Sequence, residues 1–521
     1  MSKIGHKVAV SMGRGTLFGV FASFTMMATR FITVPIITAH IGLGGYGIWS
    51  IIMTTSAYMR FGTAGLKSAF QKYVAEATGD GNYERASQLM TTGSALMLVL
   101  SLIALIPVAI FSKLLAKVAG VPAEFLSAAA ASFTILAIIM ILSNFAAVFE
   151  AIVNGCHRVD IVRKFYIGAA LCEAIAIVAC MFLGFGLLAM TIVMAAAEVG
   201  IIICCFVASS RLLPQIQIRR RYLSLGVVPE LFRFAGSYQL VNVLEILSMS
   251  ILPFGILRLL GARASGVYAI CTRLTGVGSS IQDASLLPLL SGGTLLYASQ
   301  ATEQIRLVMN KMFKWTLVVT IAPLAFVAVF GPTLVMAWTG QSDPMFRVGL
   351  PWLCIAAAFG GISRTGLILY RANGGALMDV LRQLLVIVGL VIAIALGRDL
   401  GYAGIFAAMA FTEMIGALFM LHALQKSIEA FHPSDLIPDA AKIIVAVSIV
   451  LLAGIVMTNV IPIPWNVGDH VTAWLRLMLA GSACAILAWP AMALTKCLSA
   501  AERRTIVDAL FPSRGRAATS V

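Results

Sequence analysis

The chain has 521 residues, of which 60% are hydrophobic and 11% charged, with a mean hydropathy of +0.97. A soluble globular chain carries about a quarter charged residues, so the composition excludes one. A formal net charge of +15 would suggest nucleic acid in a soluble protein, but in a chain this apolar the placement of the bases matters more than their sum.

Apolar runs long enough to cross a bilayer of about 30 Å as a helix recur along the whole length. They predict fourteen spans, at 16–39, 46–64, 88–110, 127–150, 165–183, 186–208, 235–257, 266–290, 312–335, 348–370, 384–397, 401–424, 442–461 and 472–495. No connection is long enough for an inserted soluble domain. The first span is preceded by Lys3, Lys7 and Arg14 and contains Arg30. It is too long for a signal-peptide core and reads as an uncleaved first helix. Leu66, Ala69, Phe70, Tyr73 and Val74 share one helical face, with Lys67, Gln71 and Glu76 away from it. That pattern predicts an amphipathic helix lying at the membrane interface. The nine cysteines form no CxxC pair and read as reduced packing residues.

With the N-terminus placed inside, seven bases fall in outer loops (Lys113, Lys117, Arg258, Arg263, Arg347, Arg398 and Arg476) and four within spans (Arg30, Arg60, Arg273 and Arg364); the rest lie inside. The bias predicts both termini in the cytoplasm and an even number of spans. The basic inner loops would also suit anionic lipid.

Gly42 to Ile51 returns as Gly261 to Ile270, an offset of 219 residues. The same offset maps Glu84 onto Glu303, Met90 onto Met309, Asn154-Gly155 onto Asn373-Gly374, Asp160 onto Asp379 and Arg163 onto Arg382. A shared register over this length is an internal repeat. Six spans is an even number, so both halves have the same orientation, a transporter plan with the substrate site at the repeat interface. The expected organisation is an N-lobe over 1–210, a cytoplasmic linker over 211–234 that would suit lobes rocking against each other, a C-lobe over 235–425, and the last two spans with a cytoplasmic tail over 426–521. The predicted fold class is all-α: a polytopic membrane protein with two parallel six-helix repeats and two C-terminal helices.

Gly42-x-Gly44-x-x-Gly47 also satisfies the dinucleotide-binding pattern. That pattern has meaning only after a strand, before a helix and with an acid some 20 residues on; here it joins two membrane spans. A tight turn that needs glycine is the simpler reading. Scattered histidines, and the lack of a Walker loop, zinc spacing or nucleophile elbow, argue against an enzyme.

Ionisable groups inside spans cost several kcal/mol unless paired or hydrated, which makes each a candidate. Arg30 shares a stripe with Ser23 and Thr33, and Arg273 shares a face with Gly276 and Ser280. Each is read as a cationic contact in a hydrated cavity or as half of a structural ion pair. Arg60 and Arg364 lie near inner span ends and could instead snorkel to the headgroups. Tyr238, Asn242 and Glu245 at i, i+4, i+7 form the best polar stripe. Glu245, with Asp283 in the next span, is the candidate for H⁺ or Na⁺ coupling, pairing with Arg30 or Arg273 being the alternative for Glu245. Glu198 and Glu413 occupy repeat-equivalent spans, which hints at structural roles, and Glu150 lies at a span end.

Several stretches together resemble the polysaccharide-exporter (Wzx-type) flippases of the multidrug/oligosaccharidyl-lipid/polysaccharide exporter superfamily. They are His40-Ile41-Gly42 to Ser50, Gly62-x-x-Gly65-Leu66, Phe70-x-x-Tyr73-Val74-Ala75-Glu76, Gly79-Asp80-Gly81-Asn82, Tyr268-Ala269 to Arg273-Leu274, and Leu287-Pro288-Leu289-Leu290-Ser291. The resemblance runs from span 1 to about span 12. It implies two bundles around a central cavity. It also implies transfer of undecaprenyl-diphosphate-linked oligosaccharides from the inner to the outer leaflet of a bacterial cytoplasmic membrane, for O-antigen, capsule or exopolysaccharide. The implied partners are that lipid-linked oligosaccharide, membrane lipid, and the polysaccharide polymerase and chain-length proteins, with no cofactor and no nucleic acid. Arg60 and Arg273 match two positions at which lipid II flippases of the superfamily hold the diphosphate, and Arg30 fits approximately. The family often has an acid just before the glycine at position 62, where this chain has Phe61. The competing expectation is a multidrug/cation antiporter of the same superfamily, which should depend on acids more than on arginines. A membrane glycosyltransferase or polymerase is the third, and short outer loops without paired carboxylates argue against it.

Overall fold

The computed structural model describes residues 3–61, 64–298, 302–372, 377–428, 431–461 and 468–497, without the side chains of 3–17, 20, 58–61, 64, 65, 68, 232–240, 242, 278–298, 302–305, 371 and 372. The described residues form helices and no strand. The helices are α1 (Lys3–Phe61), α2 (Ala64–Asp80), α3 (Tyr83–Ile110), α4 (Ser112–Val118), α5 (Ala123–Gly155), α6 (Val159–Phe182), α7 (Leu187–Leu212), α8 (Val228–Ala298), α9 (Thr302–Thr339), α10 (Pro344–Ala372), α11 (Leu377–Ser427), α12 (Ile437–Val460) and α13 (Asp469–Leu494).

Eleven of these are long and apolar enough to cross a membrane. Three of the eleven are pairs. α1 breaks at Gly42 (φ 69°, ψ 175°), α8 at Gly261 (φ 85°, ψ 178°) and α11 at Gly401 (φ 63°, ψ −152°). That backbone region is open essentially to glycine alone, so each break is a sharp turn between two spans. Counting each as two gives the fourteen spans read from hydropathy. The chain is a multi-pass, all-α membrane protein.

The glycine breaks also carry the repeat. Gly42 pairs with Gly261, Gly120 (φ 84°) with Gly340 (φ 67°) and Gly184 (φ 78°) with Gly401. These are the turns after the first, third and fifth spans of each half. The ungapped offset finds only the first pair, because the other two are displaced from it by one and two residues.

The structure divides into two compact units, Met1–Ile270 with Gln383–Ile405, and Cys271–Arg382 with Phe406–Val521. In the first unit α5 is the hub, packed against α1, α2, α3, α4, α6 and α7. The apolar face of α2 was expected to rest on lipid. Instead Leu66, Ala69, Phe70, Tyr73 and Val74 are buried in one core with Met90 and Ile152. Two glycines admit it: a Cβ on Gly93 would strike the Phe70 ring and one on Gly155 would lie 2.7 Å from Val74 Cβ. Lys67 of α2 donates to Glu150 of α5 at 2.5 Å, and Tyr166 Oη donates to the same carboxylate at 3.1 Å.

The segment read as a cytoplasmic linker packs on the first unit. Leu213, Ile216, Val227 and Leu231 are buried in the α2–α3–α5 core. Gln217 N–H donates to Ser87 Oγ (3.1 Å) and Ser224 N–H to Thr92 Oγ1 (3.0 Å), while Arg85 pairs with Glu230 at 2.6 Å. The second unit repeats this device. Arg306, near the start of α9, pairs with Asp435 at 2.9 Å, and Phe431 stacks on Phe313 with centroids 5.6 Å apart. There α9 is the hub, and the two appended helices pack on it: Ile443 and Val447 of α12 beside Leu317, and Leu477 and Ala480 of α13 beside Phe330.

Candidate functional site

Most hydroxyls of the membrane segments are satisfied by their own helix. On α1, Ser23 Oγ donates to Gly19 O (3.0 Å), Thr25 to Phe21 O (2.9 Å), Thr33 to Arg30 O (3.3 Å) and Thr38 to Val34 O (2.9 Å). Such back-bonding lets a polar residue sit in an apolar helix without a partner on another. The stripe that accompanies Arg30 is therefore compatible with packing alone, and Arg30 itself is exposed on α1.

Other polar groups do cross between helices in the first unit's interior. Glu198 of α7 accepts from Ser143 of α5, and Asn144 Nδ2 donates to Ser101 Oγ of α3 at 3.0 Å. On α8, Glu245 is half-buried one turn before Ser248, whose hydroxyl donates to the Glu245 carbonyl at 2.8 Å and accepts from Gln383 Nε2 of α11 at 2.9 Å. Gln383 was not among the sequence candidates.

The second unit holds the most buried of the described ion pairs. Arg382 Nη2 lies 3.3 Å from Glu413 Oε2, with side-chain exposures of 11% and 16%. Its Nε donates to Ser363 Oγ at 2.6 Å. Ser363 and Thr365 are fully buried on α10, flanking half-buried Arg364, and Thr365 shares a 3.0 Å hydrogen bond with Thr316 of α9. The carboxylate of Glu413 reaches the backbone at Gly360, where a Cβ would sit 3.4 Å from Oε2. Arg382, the base at the centre of this network, was offered by the sequence only as a repeat marker.

Three acids of the membrane helices are engaged by neighbours: Glu150 by Lys67 and Tyr166, Glu198 by Ser143, and Glu413 by Arg382. This agrees with the structural reading of Glu198 and Glu413. Arg273 is different. It is half-buried in α8, one turn beyond Ala269, and makes no ion pair with any described residue. The side chains of Arg60, Tyr238, Asn242 and Asp283 lie outside the described ones, as does the whole of Gly62. Among the described residues no cluster of His, Cys, Asp and Glu is placed to hold a metal, and all nine cysteines are free thiols.

Residues 20–178 match the MatE family model. The inward-closed structure of the lipid II flippase MurJ superposes with a TM-score of 0.66, covering 91% of this chain and 98% of that one at 14% identity. An inward-facing multidrug resistance MATE family transporter of the MOP superfamily gives 0.64, covering 78% and 94% at 16% identity. The fold is that of the MATE and MurJ transporters. A curated relative, the uncharacterized membrane protein EpsK of Bacillus subtilis (strain 168), is 25% identical over 355 residues, 66% of this chain and 68% of the relative.

Proposed function

We propose that this protein moves polyprenyl-diphosphate-linked oligosaccharide repeat units from the inner to the outer leaflet of a bacterial cytoplasmic membrane, by alternating access and with both termini in the cytoplasm. The observation that carries the reading is Arg273: a half-buried guanidinium in a membrane segment, without an acid among the described residues. Burying a lone cation in hydrocarbon costs several kcal/mol, so it is retained where it meets an anion or a hydrated path. A diphosphate is the anion that arginine binds best, by bidentate charge-assisted hydrogen bonds. The polyprenyl tail can stay in lipid while the headgroup crosses. Arg30, Arg60 and Arg364 are the further cationic contacts, Tyr238 and Asn242 neutral ones, and Glu245 or Asp283 the coupling group for H⁺ or Na⁺. The flippase named among the structural relatives supports a lipid-linked cargo. The polysaccharide polymerase and chain-length proteins are the natural recipients on the far side.

The test is mass spectrometry of polyprenyl-linked glycans in a strain depleted of the protein. One diphosphate-linked oligosaccharide should accumulate, confined to the inner leaflet, and Arg273→Ala should fail to relieve the accumulation while inserting and folding normally. Full relief by that variant would sink the site assignment.

The MatE match over 20–178 favours a second reading, a multidrug/cation antiporter. An unchanged lipid-linked pool, together with new sensitivity to cationic drugs, would select it.

A further inference from the structure

A groove of about 480 Å³ opens between α6 and α7, and none of the candidate site residues lines it. Ile161 and Phe165 form one wall, and Ile203, Val207 and Ala208 the other. Ile203 and Val207 are 55% and 40% exposed, so the groove opens sideways. α7 has 26 residues, about 39 Å at 1.5 Å per residue. The hydrocarbon core takes up only about 20 residues of such a helix. The groove occupies the last ten positions of α7, 203–212, so it runs from within the hydrocarbon to the headgroup level.

At its mouth stands Arg211, exposed and forming no ion pair with any described residue. Two other bases at this end of the hairpin are differently placed. Arg158 and Lys164 both turn to Asp160, at 3.2 Å and 4.0 Å, and Lys164 also lies over the Phe18 ring. The site therefore offers an apolar slot for a chain and one uncommitted guanidinium at the depth of a phosphate. We propose that the α6–α7 groove binds an anionic phospholipid, its acyl chain between Phe165 and Val207 and its phosphate on Arg211. A zwitterionic lipid carries its own cation beside the phosphate and gains less from Arg211, which is what makes the groove selective.

Arg211 also sits in the last turn of α7, where a base favours the helix dipole and topology without any ligand. The experiment separates the two. Cys204 lines the groove and is exposed, and Cys172 is exposed on α6 beyond it. The full chain is placed in nanodiscs of phosphatidylcholine alone or with a minor fraction of phosphatidylglycerol. N-ethylmaleimide labelling is then followed at both cysteines by peptide mass spectrometry. Phosphatidylglycerol should slow labelling of Cys204 about tenfold, as one charge-assisted hydrogen bond to phosphate implies, and leave Cys172 unchanged. Arg211→Gln should abolish the protection. Native mass spectrometry should show one retained phosphatidylglycerol on the wild type and none on either Arg211→Gln or Ala208→Trp, the latter filling the slot without touching the charge. Equal protection by both lipids, protection that survives Arg211→Gln, or protection only by added polyprenyl diphosphate would each overturn the proposal, the last by giving the groove to the transported substrate.

Discussion

Gly47 and Gly266, the same position in the two repeats, are packed backbone against backbone. A Cβ on Gly47 would lie 2.6 Å from Gly266 N and closer still to the Ala262 carbonyl oxygen, and one on Gly266 would fall inside the Leu43 carbonyl oxygen. The obstacle in each case is main chain, which cannot swing aside. Gly47→Ala and Gly266→Ala are each expected to cost about 3 kcal/mol or more, at the upper end of overpacking. Gly44→Ala, whose Cβ would meet Ala262 Cβ at an ordinary 3.7 Å, should be nearly neutral. Thermal unfolding in detergent of the three variants checks the order, and a Gly266→Ala protein as stable as wild type would refute the close approach.

The break at Gly42 makes a different demand. Nothing lies within 4 Å of a Cβ there, so the glycine serves the backbone alone. Its φ of 69° with ψ of 175° lies outside the left-handed region that asparagine tolerates. Gly42→Ala and Gly42→Asn should therefore cost the same, about 1–3 kcal/mol, and Gly261 should behave alike. Rescue by asparagine, read from melting temperatures, would show that the turn is an ordinary left-handed one.

The Arg382–Glu413 pair sets single against double replacement. Removing one partner of a buried pair leaves an uncompensated charge and costs about 3–5 kcal/mol, whereas replacing both with apolar residues is often neutral. Arg382→Met and Glu413→Leu should each destabilise strongly, and the double variant should recover most of the loss. If the recovered protein also loses transport, the pair belongs to the transport path as well as to the fold. Additive losses in unfolding would mean that the two side chains do not depend on each other.

Cys156 caps the C-terminus of α5, outside the spans. Burial pushes its thiol up to about 11, against a smaller opposing pull from Arg158. Desolvation disfavours the thiolate, so at pH 8 the nucleophilic form is scarce. Iodoacetamide labelling of Cys156 in the folded protein should be slow at pH 8 and climb tenfold per pH unit until the pH nears its raised value. Unfolding should abolish the lag. A plateau near pH 9 in the folded protein would contradict its burial.

The spans, the repeat and the Gly42/Gly261 turns were legible in the sequence. Hydropathy over some 20 residues and the need for glycine at a sharp reversal are local properties that each stretch carries by itself. What tertiary structure decided was where faces and charges go. The α2 face reads as lipid-facing because its sequence cannot say that Gly93 and Gly155 leave room for Phe70 and Val74. That the 211–234 linker packs on α3 is not legible in it, because backbone hydrogen bonds to Ser87 and Thr92 leave no mark on its own composition. The sequence offers Arg382 only as the repeat partner of Arg163 and Glu413 only as a structural acid, and nothing links the two because they are 31 residues apart. Their pairing is set by the packing of whole helices rather than by any spacing along one of them.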